Sequence, residues 1–364
     1  MDSGSPRGNK AFILFGATGS LAKNRIFPAL SSLKSKKVFG PNLKIVGYGR
    51  RDLNIKPFKK FFYLKGDLKD TKVLSNFIES ENIQTAFCYI ALPPGLYIDA
   101  VRFIKRVFGR KMPKIALEKP FGTSLENARI LAKFVKKYGE KSFHLVDHYL
   151  VKEPVVDPHK FADHFKNIKD VKSLEVFILE KGDVSERGSL YDELGALKDT
   201  GQSHLLNTVA SLLSRGSKIK FFEKLRYKKG SLLMGQYAGY LKTDGVKKDS
   251  KTETYFKAGF DYKGVYVTLR SGKAIKENKN FVNIVHKDGR SACIEIRSVS
   301  REGVTPHEYV IEDFVSGRSK FCLTPNEAIS AWKITKEILK DRKRSGLRIY
   351  PKNSSYKEVE RMTY

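Results

Sequence analysis

An apolar run at residues 11–15 (AFILF) leads straight into Gly16-Ala17-Thr18-Gly19-Ser20. Apolar residues then recur at Leu21, Ile26, Ala29, Leu30 and Leu33, close to a helical period. Strand, glycine turn and helix in that order restrict the fold sharply. Glycines let backbone approach a pyrophosphate, and a helix start offers N–H groups and a positive dipole end. The full Gly-x-Gly-x-x-Gly spacing is absent, so a plain turn stays open beside a phosphate cradle.

The alternation continues. Residues 43–48, 85–92, 114–117 and 143–146 read as strands, and 98–107 and 125–138 as helices, the latter with Ser124 as N-cap. Strands alternating with helices imply a parallel sheet with crossover helices. Beyond about residue 150 the pattern changes. Residues 174–179 alternate like a strand with one wet face. Residues 255–260, 264–269, 281–286 and 292–297 read as a meander of strands, with helices at 205–213 and 325–340. The chain has 364 residues. At roughly 150 residues per domain, two domains are expected. We read a loose polar tail over 1–10, an α/β Rossmann domain over 11–150, and an α+β domain with a large, mainly antiparallel sheet over 151–364.

Hydrophobic residues make up 41% and charged residues 30%, enough for full cores. No apolar run approaches the ~20 residues of a membrane span, and none near the start is long enough for an export signal. No membrane association and a cytoplasmic location are expected. The three cysteines, Cys88, Cys293 and Cys322, are far apart with no CxxC pair, so no metal site is expected. Net charge is +30, from 69 basic against 39 acidic residues. A nucleic-acid face and a basic enzyme that attracts small anions both fit that number. The charge is spread along the chain, and its densest runs, 34–37 and 340–344, lack interleaved aromatics. We read a solvated basic surface and expect no nucleic-acid partner.

Specific residues carry chemistry. The second strand ends in Gly47-Tyr48-Gly49-Arg50-Arg51. An acid there would hold ribose hydroxyls; arginines pair with a 2′-phosphate instead. Arg25 in the first helix stands ready to help, and ordinary surface arginines are the bland alternative. Glu118-Lys119-Pro120 follows a strand, where ligands gather in parallel sheets. Asp147-His148-Tyr149 with Lys152 supplies N–H, O–H and ammonium donors suited to a phosphate, or else polar residues at a domain joint. His204 lies five residues after Asp199. A histidine can take the hydroxyl proton of an alcohol being oxidised, with a carboxylate holding its ring. That spacing alone does not separate the base from a structural histidine.

The segments FGATGSLAKNRIFPAL, IVGYGR, YIALPPGLY, LEKPFGTSLENA, DHYLVKE, LYDELGALKDTGQSHLLN, GQYAGY, TETYF, LRSGKAIKE and NEAISAWKI occur in order from residue 15 to about 335. Together they resemble the glucose-6-phosphate dehydrogenase family. The resemblance implies an NADP-dependent oxidation of glucose 6-phosphate to 6-phosphogluconolactone, the first step of the oxidative pentose phosphate pathway. By this similarity Gly16, Ala17, Thr18, Gly19 and Arg25 form the cofactor turn. Arg50 reads the 2′-phosphate, and Tyr97 lines the cofactor site. Lys119 touches both ligands. His148, Tyr149 and Lys152 bind the sugar phosphate, Glu180 and Asp199 hold sugar hydroxyls, and Lys273 reaches the substrate. His204 matches the catalytic base, oriented by Asp199.

The sequence departs from the family pattern at Ser20, where Asp is usual, at Val151, where glycine is usual, and at Asn278, where a second basic residue is usual. It is shortened between Arg51 and Thr85 and again between Arg297 and Glu308, which trims the segment the resemblance assigns to a homodimer interface. Two other readings stay open at this point: an EKP-type Rossmann oxidoreductase acting on another sugar, and a non-catalytic basic binding protein.

Overall fold

The computed structural model describes residues 8–157, 161–165, 167–214, 216–298, 303–342 and 344–362. Most of the expected tail lies outside the described residues, but the first strand, β1 (Asn9–Phe15), begins before residue 11. Asn9 is drawn in because its amide donates to Asn82 O at 3.2 Å and its side chain to Glu81 O at 2.8 Å.

The chain divides into two units. In the first, β1 is followed by β2 (Leu43–Gly49), β3 (Phe61–Lys65), β4 (Ile83–Ile90), β5 (Lys114–Leu117) and β6 (Phe143–Val146). Their order is β6-β5-β4-β1-β2-β3, all parallel. This is the doubly wound Rossmann order, which reverses direction beside β1. β1 earns its centre by composition: residues 11–15 are fully buried, as a strand covered on both faces must be. The first helix widens at its start, with a π-helical turn Ala22–Ile26 running into an α-helix Phe27–Ser35. β3 and the helix Lys72–Ser80 occupy the shortened stretch after Arg51, so the βαβ unit there is complete.

The boundary differs from a single cut at residue 150. Residues 303–325 return to the first unit. The short strand Cys322–Leu323 pairs antiparallel with β6, and helix Pro306–Val315 lays Phe314 against Phe12, Phe87 and Tyr89 at centroid distances of 5.7–6.3 Å. Burial of aromatic area on this scale is a strong tie. A capping box between Thr305 and Glu308 starts that helix, and Glu308 also accepts from Ser32 and Lys36.

The second unit is built on a mixed, mainly antiparallel sheet. Its order is Ser291–Glu295, Lys279–His286, Val171–Leu179, Val265–Gly272, Tyr255–Tyr262, Leu233–Tyr237, Leu347–Tyr350, with Leu225–Tyr227 paired to Tyr255–Tyr262. The expected meander is interrupted: Val171–Leu179 inserts at its centre, parallel to Val265–Gly272. Nor does that strand keep a wet face throughout. Residues 176–179 are buried, because Phe177 stacks on Phe281 at 4.4 Å and meets Tyr356 at 5.3 Å within the unit's hydrophobic core. Leu174, Val176, Leu269 and Phe260 share that core with Leu206 and Val209 of helix Leu206–Leu213. Among the described residues no helix is long and apolar enough to cross a membrane.

Candidate functional site

The glycine turn closes over the end of β1. Gly16 has φ +84°, and a Cβ there would lie 2.6 Å from Ala91 O, so only glycine fits. The amides of Gly16 and Ala17 both donate to Tyr48 O, and Gly19 donates back to Gly16 O at 2.9 Å. Gly47 lets β2 come close beneath the turn, since a Cβ there would lie 2.8 Å from Ala17 Cβ. The helix that begins here aims its N-terminal dipole end at the turn. These are the features of a cradle for a dinucleotide pyrophosphate.

Arg50 stands exposed one residue beyond β2, and Arg25 is exposed on the π-helical turn. Asp52, the acid nearest the strand end, is engaged by Lys65 at 2.9 Å. The local charge thus favours a phosphate over free ribose hydroxyls, which fits NADP.

Tyr97 sits differently from a residue lining a ligand. It is 1% exposed, and its hydroxyl donates to Glu118 O at 2.6 Å. Tyr89 donates to Glu118 Oε1 at 2.5 Å. Burial pushes the Glu118 carboxyl up to about 6, against the opposing pull of the Tyr89 hydroxyl and the Lys119 ammonium. The two tyrosines therefore hold the loop that carries half-buried Lys119. His148, half-buried at the end of the first unit, stacks on His307 at 4.9 Å. His307 was invisible to sequence reasoning, because only the return of residues 303–325 brings it there.

In the second unit, Tyr149, Lys152 and His204 come together. The His204 ring stacks on Tyr149 with centroids 4.1 Å apart, and Lys152 Nζ lies 4.0 Å from the Tyr149 centroid. Val151 is fully buried, so its extra bulk is absorbed by the core. His204 and Asp199 lie on a π-helical stretch, Leu197–Leu205. At 100° per residue, an α-helix would place positions five apart about 140° from each other. The i→i+5 winding of a π-helix returns them to one face. Gly195, at φ +71° and ψ 171°, breaks the preceding helix and lets this one start. Glu253, 1% exposed, caps it: its Oε1 accepts the Leu197 amide at 3.1 Å, and its carboxylate pairs with Arg342 at 2.9 Å.

Asp199 carries a partner that sequence reading missed. Arg187 Nη2 donates to Asp199 Oδ2 at 2.9 Å, and that charge raises the Arg187 pKa. Glu180 and Lys273 follow the ends of the neighbouring parallel strands Val171–Leu179 and Val265–Gly272, where Leu179 and Gly272 are in register, and they form an ion pair. Asn278 accepts the Lys181 amide at 2.8 Å, tying down the loop beside Glu180. The proposed site residues thus gather as a cofactor set in the first unit and a sugar set in the second, with His148 and Tyr149 consecutive in the chain.

Residues 13–63 and 55–157 match the family model described as "Glucose-6-phosphate dehydrogenase, NAD binding domain", and residues 160–303 match "Glucose-6-phosphate dehydrogenase, C-terminal domain". The chain belongs to the glucose-6-phosphate dehydrogenase family. A glucose-6-phosphate 1-dehydrogenase of Kluyveromyces lactis is 30% identical over 344 residues, covering 76% of this chain and 69% of that protein. Two solved structures share the fold. A glucose-6-phosphate 1-dehydrogenase from Mycobacterium avium superposes with TM-score 0.81 at 22% identity, covering 95% of each chain. A glucose-6-phosphate dehydrogenase in complex with its substrate glucose-6-phosphate gives 0.77 at 23%, covering 96% of this chain and 95% of that one. The join between the two family-model matches, at residues 157–160, falls shortly after the His148/Tyr149 division.

Proposed function

We infer that this chain oxidises β-D-glucose 6-phosphate at C1 to 6-phosphogluconolactone, with NADP as the acceptor. Family membership supports the reaction. The observation that carries the assignment of residues is the cluster of His204, Tyr149 and Lys152, which joins a base to phosphate ligands within one unit.

His148, Tyr149 and Lys152 bind the sugar phosphate through charge-assisted hydrogen bonds. Glu180 and Asp199, paired with Lys273 and Arg187, accept hydrogen bonds from ring hydroxyls. Asp199 also holds the His204 ring. A ring nitrogen of His204 takes the C1 hydroxyl proton as the C1–H bond breaks and the lactone C=O forms. NADP, when bound, supplies the acceptor for the C1 hydride. Gly16, Ala17, Thr18 and Gly19 seat its pyrophosphate, and Arg25 and Arg50 its 2′-phosphate. Tyr97 acts through the Glu118 loop, which sets Lys119 for both ligands. Holding base and substrate in register supplies much of the rate.

We place the activity in the cytoplasm and propose a homodimer. A relative from Arabidopsis thaliana is named as cytoplasmic, and light scattering of purified protein reads the assembly. The test of the reaction is a sugar panel with NADP. Turnover of glucose 6-phosphate well above that of glucose or other sugars is expected. Equal or better turnover of an unphosphorylated sugar would overturn the reading.

A further inference from the structure

We propose that Arg187 is a positioning residue for sugar recognition: its guanidinium fixes the Asp199 carboxylate in the orientation that accepts a ring hydroxyl. The proposal rests on the reading of Asp199 as a sugar ligand.

Three observations point to Arg187. The first is the geometry of the pair. Asp199 is buried, with 6% side-chain exposure, whereas Arg187 is 36% exposed. A buried carboxylate needs a fixed counter-charge, and a planar guanidinium imposes a direction as well as a charge. The second is the anchoring of Arg187. It ends the turn Ser185–Arg187, outside the π-helix that carries Asp199, and its guanidinium carbon lies 5.6 Å from the Tyr191 centroid. Tyr191 is 1% exposed, so this aromatic shelf is rigid. The third is unspent hydrogen-bonding capacity. Of five guanidinium N–H donors, one bonds Asp199, and no other guanidinium hydrogen bond is made among the described residues. The buried Tyr191 hydroxyl likewise has no partner among the described residues. Burial first, and then the Asp199 charge, keep that hydroxyl protonated as a donor. The pair leaves several N–H donors beside a carboxylate assigned to a sugar hydroxyl.

The pairing has no local signature, because twelve residues separate Arg187 from Asp199. It exists only through the break at Gly195 and the π-helical winding after it.

The experiment compares wild type, Arg187→Met and Arg187→Lys. Glucose 6-phosphate and NADP binding are each measured separately by calorimetry, beside kcat and KM. Loss of a charge-assisted contact predicts glucose 6-phosphate binding about 10- to 100-fold weaker in Arg187→Met, with NADP binding unchanged. Arg187→Lys, which keeps the charge without the fork, recovers part of the loss. Arg187→Met binding glucose 6-phosphate like wild type would overturn the proposal. So would equal loss of sugar and NADP binding in both variants, the mark of general disruption. Should Arg187→Met fail to fold, Arg187→Lys decides alone: weakened sugar binding with intact NADP binding supports the proposal, and wild-type sugar binding overturns it. If wild type itself neither binds nor oxidises glucose 6-phosphate, the underlying functional reading fails as well.

Discussion

Gly195→Ala tests whether the break before the π-helix holds the sugar set in place. Gly195 lies at φ +71° and ψ 171°, a region essentially reserved for glycine, where another residue costs about 1–3 kcal/mol. A Cβ there would also lie 2.4 Å from Glu253 Oε1 and 2.9 Å from Oε2. Glu253 must then move, and it is the group that accepts the Leu197 amide and pairs with Arg342. Leaving a buried donor unmet costs about another 1–3 kcal/mol. The sum, roughly 2–6 kcal/mol, is a large share of the 5–15 kcal/mol typical of a folded protein. The chain's one tryptophan, Trp332, is fully buried in the second unit, so its fluorescence reports unfolding of the unit in question. Gly264→Ala is the control: φ is +83°, but nothing lies within 4 Å of the new Cβ, so only about 1–2 kcal/mol is expected. If Gly195→Ala is destabilised no more than Gly264→Ala and keeps wild-type kcat, the account of the break and its cap is wrong.

His204→Asn should lower kcat by about 10²–10⁴-fold with little change in KM, as loss of a general base does; steady-state kinetics would expose a near-normal kcat. Arg50→Glu should raise KM for NADP by about 10- to 100-fold and leave NAD unaffected, so an unchanged NADP/NAD ratio would exclude Arg50 from the 2′-phosphate. Glu118 rises from 4.5 to about 6 on burial, so the native state favours its protonated form. The stability it contributes is present below about 4.5 and is lost as pH rises through about 6. The loss is about 2 kcal/mol. Unfolding of Glu118→Gln followed by circular dichroism should lack that fall, and an identical pH slope would contradict it.

The features legible in the sequence are local ones. The turn at Gly16 and Gly19 announces itself because strand, glycine and helical period are contiguous, and Ser124 caps its helix three residues before the Asn127 amide that it accepts. The strand Phe61–Lys65 escaped notice because FFYLK shows neither alternation nor a turn signal at its start. Non-local packing was out of reach: Phe314 belongs with Phe12 and Phe87 only once the sheet exists. The same holds for Arg187 on Asp199 and His307 on His148. The spacing of Asp199 and His204 was visible, but its meaning depended on π-helical winding, which no residue pattern announces. Tyr97 shows the opposite limit. Its position matched a ligand-lining residue, yet its side chain turned inward to hold Glu118.

The most direct test of the central claim follows the hydride itself. Purified protein would be given NADP and glucose 6-phosphate carrying deuterium at C1, and the reduced cofactor examined by mass spectrometry and NMR. The account predicts one deuterium at C4 of the nicotinamide and a lactone product that has lost the label. Reduced cofactor without deuterium, or no reduced cofactor from folded protein, would contradict it.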